Sequence, residues 1–261
     1  MVSPFFLIFC FSLVFGACIG SFLNVCIFRI PQEKSIVFPG SSCPVCGNAI
    51  RFYDNIPVLS YIFLGGKCRR CKTNISLRYP LIEILTALVT GAVFLRFGIG
   101  PQAGVLLALI YTLIVISFID LDHQIIPDII SLPGIVLFGA LAHWVLGKSF
   151  LNIGLGILAG GGLLYGVTLF YYLVRRIQGM GGGDIKLLAM LGAVLGPEGA
   201  LFTIFSAAFL GAFVGLGLMV SHGEFNSRLK IPFGPFISLG SVFYVFWGKE
   251  ILGWYLGILP L

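Results

Sequence analysis

The chain has 261 residues, of which 58% are hydrophobic and only 10% are charged. Soluble domains carry about 25% charged residues, so a soluble fold could not bury this much apolar surface. The net charge of +6 does not point to a nucleic-acid partner, because the basic residues lie between apolar runs, where the cytoplasmic loops of membrane proteins collect Lys and Arg. The composition therefore predicts a protein that spans a lipid bilayer.

Apolar segments follow one another along the whole chain. Crossing the hydrocarbon core takes about 20 residues in a helix, and lipid tolerates no unpaired backbone groups, so every segment is predicted to be helical. The predicted fold is an all-α polytopic membrane protein with about eight transmembrane helices. The segments are 5–28, 80–97, 102–120, 128–146, 152–174, 184–195, 199–221 and 235–258.

The distribution of positive charge orients the chain. No Lys or Arg precedes the first apolar run and no small-residue cleavage pattern follows it, which predicts a retained helix and not a signal peptide. Arg29 comes directly after this run and places the N-terminus outside. With this orientation the predicted cytoplasmic loops hold every Lys and Arg except Arg96, Lys148 and Lys249.

Residues 29–79 form a polar stretch that is predicted to be a small cytoplasmic domain inserted after the first helix. It contains two Cys-x-x-Cys pairs, a spacing that can close a tetrahedral zinc site. Two disulfides are the alternative, but the cytoplasm keeps thiols reduced. Four thiolates leave no open position for water, so the predicted zinc is structural. The ligands are Cys43, Cys46, Cys68 and Cys71.

The sixth segment, 184–195, is too short to cross a bilayer unaided, because 12 residues rise only ~18 Å. Membrane proteins keep broken or partial helices where backbone lines a polar cavity. We therefore expect function at this segment. The predicted organisation is a first transmembrane helix (1–28), the cysteine domain (29–79) and a membrane-embedded core (80–261).

Two acids lie within apolar segments. Burial of a charge there costs free energy, so an acid at such a position usually has a function. Asp120 ends the third segment and Asp184 begins the sixth, so both should reach the cytoplasmic face. Two carboxylates that share a proton can act as base and acid in hydrolysis. Because a helix start favours negative charge and a helix end disfavours it, Asp184 is the predicted ionised partner.

The sequence Gly181-Gly-Gly-Asp184, with an acidic helix end before it, resembles the GxGD intramembrane aspartyl proteases. Within that group the chain resembles the bacterial type IV prepilin peptidases, through blocks that keep the family order. These blocks are Gly20 to Pro31, the two cysteine pairs, Arg78 to Glu83, the Asp120 segment, Gly181 to Lys186, and Pro232 to Pro235.

This resemblance implies that Asp120 and Asp184 are the catalytic pair and that the four cysteines form the family's tetracysteine motif. It implies cleavage of the basic leader of prepilins and pseudopilins at the cytoplasmic face of a bacterial inner membrane. It also implies methylation of the new amino terminus from S-adenosylmethionine, for which the residues themselves give no separate sign. No nucleic-acid partner is implied.

Further residues are weaker candidates for binding substrate or cofactor. Gly181 and Gly183 would let an extended substrate backbone approach the carboxylates, and Lys186 lies in the same block. Glu83 could pair with Arg78, contact the methyl donor or receive the substrate's amine. Asp122 and Asp128 are predicted to have no catalytic role, the first as a solvated loop charge and the second as an N-cap or first-turn acid of the next helix. His123 could polarise Asp120 or could be a solvated loop histidine.

Two other classes of function are compatible with parts of the sequence. A polytopic transporter would have a half-to-half repeat with acids near the membrane midplane, and neither is visible. A zinc-dependent membrane scaffold without catalysis is a third possibility, in which the cysteine domain would be the functional part. A metalloprotease is not indicated, because the chain has no His-Glu-x-x-His motif.

Overall fold

The computed structural model describes residues 4–176, 181–222 and 231–258, which are helical apart from loops and two isolated β-bridges. The predicted all-α class is therefore confirmed for these residues. The helices are α1 (Pro4–Arg29), α2 (Leu59–Phe63), α3 (Arg78–Phe97), α4 (Pro101–His123), α5 (Asp128–Trp144), α6 (Phe150–Ile157), α7 (Leu163–Arg175), α8 (Gly182–His222) and α9 (Gly234–Ile258). Shorter helical turns are Ile30–Gln32, Phe52–Asp54 and the π-helical Leu158–Gly162.

Five helical stretches of the described chain are long and apolar enough to cross a membrane, while α5 and the apolar part of α9 are shorter. The count of eight spans is thus not confirmed, and the five stretches agree by length and composition with a protein that crosses a membrane several times. The five stretches are Phe5–Gln32, Arg78–Phe97, Pro101–His123, Phe150–Arg175 and Gly182–Leu218. Most of the predicted loop before the last segment, 223–230, lies outside the described residues.

The predicted sixth and seventh segments form the two arms of α8, which meet at a sharp kink. Gly196 at the kink has φ 81° and ψ −179°, a conformation open in practice only to glycine. Pro197 follows it, lacks a backbone N–H and disfavours helical geometry at the residue before it. The Gly-Pro pair therefore ends the first arm of α8, residues 182–195, and starts the second.

The chain forms two compact units, one up to Tyr111 and one from Thr112 onward. In the first, α1 packs along α3 through glycines four positions apart. A Cβ on Gly20 would lie 2.7 Å from the Glu83 Cα, and one on Gly16 would lie 2.8 Å from the Ala87 Cα. The Asn24 side chain donates to the Tyr79 carbonyl at 3.1 Å and fixes the start of α3. The unit boundary does not coincide with the predicted division at residues 28 and 79, which stays a prediction.

In the second unit the first arm of α8 is surrounded by other helices. Gly156 of α6 and Gly160 of the π-helical turn lie directly on the α8 backbone, where a Cβ would overlap the carbonyls of Gly192 and Leu188. On another side, Gly134 of α5 lies against Met190. Leu187, Leu188, Met190 and Leu191 are fully buried as a result. This packing fixes the direction of the helix whose first turn carries Asp184.

Candidate active site

Asp120 lies in the last turn of α4 and is buried, with 5% of its surface exposed. Its Oδ2 atom accepts a hydrogen bond of 2.8 Å from the backbone N–H of Gly234, a residue 114 positions away in the chain. Gly234 is the first residue of α9. The carboxylate of Asp120 therefore lies at the end of its own helix and at the start of another.

The start of α9 leaves one backbone donor for Asp120. Phe236 and Ile237 both donate to the carbonyl of Phe233, at 3.1 Å each, and Pro235 has no N–H. The first four residues of a helix have no partner within the helix for their N–H groups. Of these four N–H positions in α9, Gly234 has the N–H group that can bond a neighbouring side chain. A Cβ at Gly234 would lie 2.8 Å from Asp120 Oδ2, so only glycine leaves room for this contact.

Asp184 lies in the first turn of α8, where the sequence placed it, and is half-buried. It is close enough to Asp120 for the two carboxylate charges to repel each other. The two acids that sequence reasoning singled out therefore lie in the same part of the second unit, and their role as a catalytic pair stays a prediction. Asp122 and His123 lie exposed at the end of α4, in keeping with solvated residues.

Of the three glycines before Asp184, the two predicted to admit a substrate backbone, Gly181 and Gly183, differ in their surroundings. A Cβ on Gly181 would lie 3.6 Å from Asp184 Oδ2, so this residue borders the carboxylate itself. A Cβ on Gly183 would lie 2.8 Å from the Ile126 Cβ, in the connection between α4 and α5. Gly183 therefore has a packing reason that the sequence did not reveal, while Gly181 remains the better candidate for contact with a substrate backbone.

Lys186 has a partner within the protein. Its Nζ atom lies 2.7 Å from both carboxylate oxygens of Asp128, which is in the first turn of α5 as predicted. This ion pair connects α5 to the first arm of α8. The predicted binding role of Lys186 stays a prediction, and the structure gives the residue a stabilising contact.

The four cysteines of the polar domain come together. Their Sγ atoms all lie within 4.8 Å of one another, and those of Cys43 and Cys71 are 3.8 Å apart. A tetrahedral site with Zn–S bonds of about 2.3 Å requires sulfur atoms roughly 3.8 Å apart. The donor set and its spacing therefore fit a four-coordinate structural metal ion.

Each cysteine pair lies in a loop of the same construction, which explains how the thiols converge. Cys43 N–H bonds to the Asn48 carbonyl and Cys68 N–H to the Thr73 carbonyl, both at 2.9 Å. The residue after each pair, Gly47 or Lys72, has a positive φ. Backbone N–H groups of Cys46 and Val45 point at Cys43 and lower the pKa of its thiol to about 6, which favours the thiolate that a metal requires.

Glu83 is also buried, with 8% of its surface exposed. It lines a cavity of about 680 Å³ in the first unit, between α1, the start of α3 and the cysteine domain. Its Oε2 atom accepts a hydrogen bond of 2.7 Å from the Val58 N–H. Cavities of roughly 300–1,000 Å³ are the size that small-molecule ligands occupy.

Val58 is an unusual residue that the sequence did not single out. It has φ 62° and ψ −50°, and Leu59 N–H bonds to the Pro57 carbonyl at 2.6 Å across it. This is a γ-turn with positive central φ, which a β-branched residue adopts only under strain. Backbone strain of this kind is typical of functional sites, and no sequence signal would have revealed it.

Comparison with known proteins identifies the relatives of this chain. A profile of the Bacterial Peptidase A24 N-terminal domain matches residues 14–97, and one of the Type IV leader peptidase family matches residues 107–216. The chain is 38% identical to the prepilin leader peptidase/N-methyltransferase of Pseudomonas aeruginosa, over 94% of this chain and 92% of that protein. It is 37% identical to the protein of the same name from Aeromonas hydrophila, over 97% and 93%.

A relative of the same name from Myxococcus xanthus is 39% identical, over 87% of this chain and 68% of that protein. No solved structure is significantly similar to the chain. The profile matches cover both units, and the similarity to the curated relatives extends over almost the whole length. The chain therefore belongs to the type IV leader peptidase family.

Proposed function

We propose that this chain removes the leader peptide of type IV prepilins and pseudopilins with Asp120 and Asp184, and then methylates the new amino terminus. The observation that carries the proposal is that two acids far apart in the chain lie close enough for their charges to interact, one in the last turn of α4 and the other in the first turn of α8. The names of the relatives agree with both activities. A transporter, the alternative from sequence, would not need two interacting carboxylates with Gly181 beside one of them.

The chemistry of cleavage needs one ionised and one protonated carboxyl group. The carboxylate accepts a proton from water as the water oxygen bonds to the scissile carbonyl carbon, and the other carboxyl gives its proton to the carbonyl oxygen. In the second step the C–N bond breaks, a hydroxyl of the diol returns a proton to the second group, and the first passes its proton to the leaving amine. Both groups end in their starting states.

Methylation belongs to a second site in this proposal, the cavity at Glu83. S-adenosylmethionine supplies the methyl group when it is bound. Glu83 would hold the positive charge of the donor or of the substrate's amine, because a buried carboxylate interacts strongly with a cation. The cavity volume of about 680 Å³ and its mixed lining, with Asn24, Tyr61 and Tyr79, fit a ligand of this size and polarity.

Zinc at the four cysteines would hold the polar domain together without taking part in chemistry. A domain this small has little apolar surface to bury, and the tetracysteine cluster connects two loops that are otherwise far apart in sequence. Removal of the metal should therefore disorganise the loops and not the acid pair.

The membrane arrangement follows the charge distribution. We propose that the N-terminus is outside, that the cysteine domain and the acid pair face the cytoplasm, and that the protein resides in a bacterial inner membrane with up to eight spans. The basic residues flanking α1 and α3 on the side of the polar domain support this orientation. A prepilin would present its basic leader to the acids while its apolar helix stays in the bilayer.

The test compares purified wild type with Asp120→Asn and Asp184→Asn on a prepilin in detergent, with Asp122→Asn as the control acid. We expect each dyad variant to lose at least a thousandfold in cleavage, because each removes the proton acceptor or donor, and the control to retain activity. A substrate that is already trimmed should still be methylated by both dyad variants. Cleavage that survives both substitutions would exclude the aspartyl mechanism.

A further inference from the structure

The contact between Gly234 and Asp120 bears on which acid is ionised. A backbone N–H that donates to a carboxylate favours its charged form, and the start of a helix adds a partial positive charge at the same place. Asp120 receives both from α9, at 2.8 Å and in a buried setting. The prediction from sequence considered only the end of α4, where Asp120 stands, and could not include a second helix.

Asp184 has weaker support for a charge. It benefits from the start of its own helix α8, but the described interactions of its carboxylate are burial and repulsion by Asp120, with no hydrogen-bond donor among them. A charge-assisted hydrogen bond is worth more than proximity to a helix end. The balance therefore favours a charge on Asp120.

We propose that Gly234 is a positioning residue that keeps Asp120 as the ionised partner and leaves the shared proton on Asp184. The inference rests on the proposed cleavage activity. Asp120 then accepts the proton of the attacking water, and Asp184 donates to the carbonyl oxygen. The N–H of Gly234 also fixes Oδ2, so that Oδ1 is the oxygen left to face water.

Other charged groups stand near the pair and do not alter this contrast. Asp122 and His123 follow Asp120 on α4 and are exposed, and on α8 and α5 the nearest charges are Lys186 and Asp128, which pair with each other. The start of α9 contributes a backbone group, and residues 231–248 carry no charge; Lys249 and Glu250 follow about four turns further along the helix.

Two substitutions at Gly234 disturb its hydrogen bond to Asp120 in different ways. Gly234→Pro removes the N–H at the first position of a helix, where proline is otherwise well tolerated. Gly234→Ala keeps the N–H but places a methyl group 2.8 Å from Oδ2, and no positive φ opposes the alanine. Gly240→Ala is the matched control: it lies on the same helix α9 as Gly234, and its methyl group would overlap Ser206 of α8, away from the acids.

The measurement is the pH dependence of kcat/KM for leader cleavage. If Asp120 is the group that ionises first, losing the N–H shifts the acid limb to higher pH by about one unit or more and leaves the alkaline limb in place. If Asp184 ionises first, the N–H acts on the second ionisation, and the alkaline limb moves instead. The two assignments therefore give opposite profiles.

A shifted acid limb in either Gly234 variant, with both limbs unchanged in Gly240→Ala, supports the inference. A shifted alkaline limb alone, or no shift in both Gly234 variants, overturns it. If Gly234→Pro does not yield a monodisperse protein in detergent, Gly234→Ala carries the test. Wild type that fails to cleave a prepilin would instead count against the proposed function itself.

Discussion

At the scale of single residues, neighbouring glycines at the start of α8 should respond differently to the same substitution. Gly183→Ala places a methyl group 2.8 Å from the buried Ile126, and overpacking of this kind costs about 1–3 kcal/mol. We expect a lower midpoint of thermal unfolding in detergent and slower leader cleavage, since Asp184 follows directly in the chain.

Gly182→Ala is the control for this prediction, because a Cβ there has no atom within 4 Å among the described residues. It should leave both thermal stability and cleavage near the wild-type values. Equal behaviour of the two alanine variants would mean that the contact between Gly183 and Ile126 does not constrain the helix.

Glu83→Gln should separate the two activities. Glutamine keeps the shape of the side chain and an oxygen that can accept the Val58 N–H, but removes the negative charge from the cavity. We expect methyl transfer from labelled S-adenosylmethionine to fall at least tenfold while leader cleavage is retained, because a buried charge that faces a cation is lost.

The exposed Glu33, which does not line the cavity, provides the control variant Glu33→Gln. Its methylation rate should equal that of wild type. A Glu83→Gln protein that methylates normally would remove Glu83 from the donor site and leave it as the residue that stabilises the strained turn at Val58.

At the scale of secondary-structure elements, the kink of α8 depends on one glycine. In Gly196→Ala the φ of 81° and ψ of −179° would be imposed on a residue with a side chain, at a cost of about 1–3 kcal/mol. Its Cβ would also lie 2.6 Å from Asn152 Oδ1. We expect a lower midpoint of thermal unfolding in detergent.

Gly217→Ala tests the same change elsewhere in α8, where a Cβ has no described atom within 4 Å. Its stability should equal or slightly exceed that of wild type, because alanine favours a helix more than glycine does. If both variants have the same midpoint of thermal unfolding as wild type, the kink does not depend on glycine at position 196.

The sequence predicted the helical class, the two acids and the four cysteines because each carries a strong local signal. Buried charge in an apolar run is costly enough to indicate function, and Cys-x-x-Cys spacing follows from metal geometry. It could not predict the Gly234 contact with Asp120, 114 positions away. The sequence can show that a helix start has unpaired backbone N–H groups, but tertiary packing decides which side chain accepts from them.

Element boundaries were harder for a related reason. The sixth predicted segment ends at residue 195 and the seventh begins at residue 199, and the non-helical backbone at Gly196 lies between them. In the structure the chain bends at Gly196 and continues as α8. Both arms are apolar, so hydropathy alone cannot distinguish two short helices from one kinked helix.

At the scale of the whole molecule, zinc should determine the order of the polar domain alone. We expect one zinc ion per wild-type chain by elemental analysis, consistent with a single tetracysteine cluster in the described residues. Cys68→Ser should lose the metal, since three thiolates bind zinc less tightly than four, and its polar domain should become sensitive to limited proteolysis.

Cys18→Ser, at an exposed cysteine of α1 outside the cluster, is the matched variant and should retain the zinc and the protease resistance. Zinc that persists in Cys68→Ser at the wild-type stoichiometry would contradict the assignment of the ligands.

The two proposed sites are built from separate stretches of the chain, the acids in the second unit and the Glu83 cavity in the first. A variant that lacks one activity should therefore be complemented by a variant that lacks the other.

The experiment mixes the Asp184→Asn and Glu83→Gln proteins in one proteoliposome preparation. A prepilin cut by Glu83→Gln can then be methylated by Asp184→Asn, because the trimmed product keeps its apolar helix in the shared bilayer. Mass spectrometry of the pilin should show the methylated mature form in the mixture, far less of it in the Glu83→Gln variant alone, and none in the Asp184→Asn variant alone. If the mixture yields only unmethylated product while wild type methylates under the same conditions, the substrate passes from one site to the other without release, and the two sites must work within a single chain.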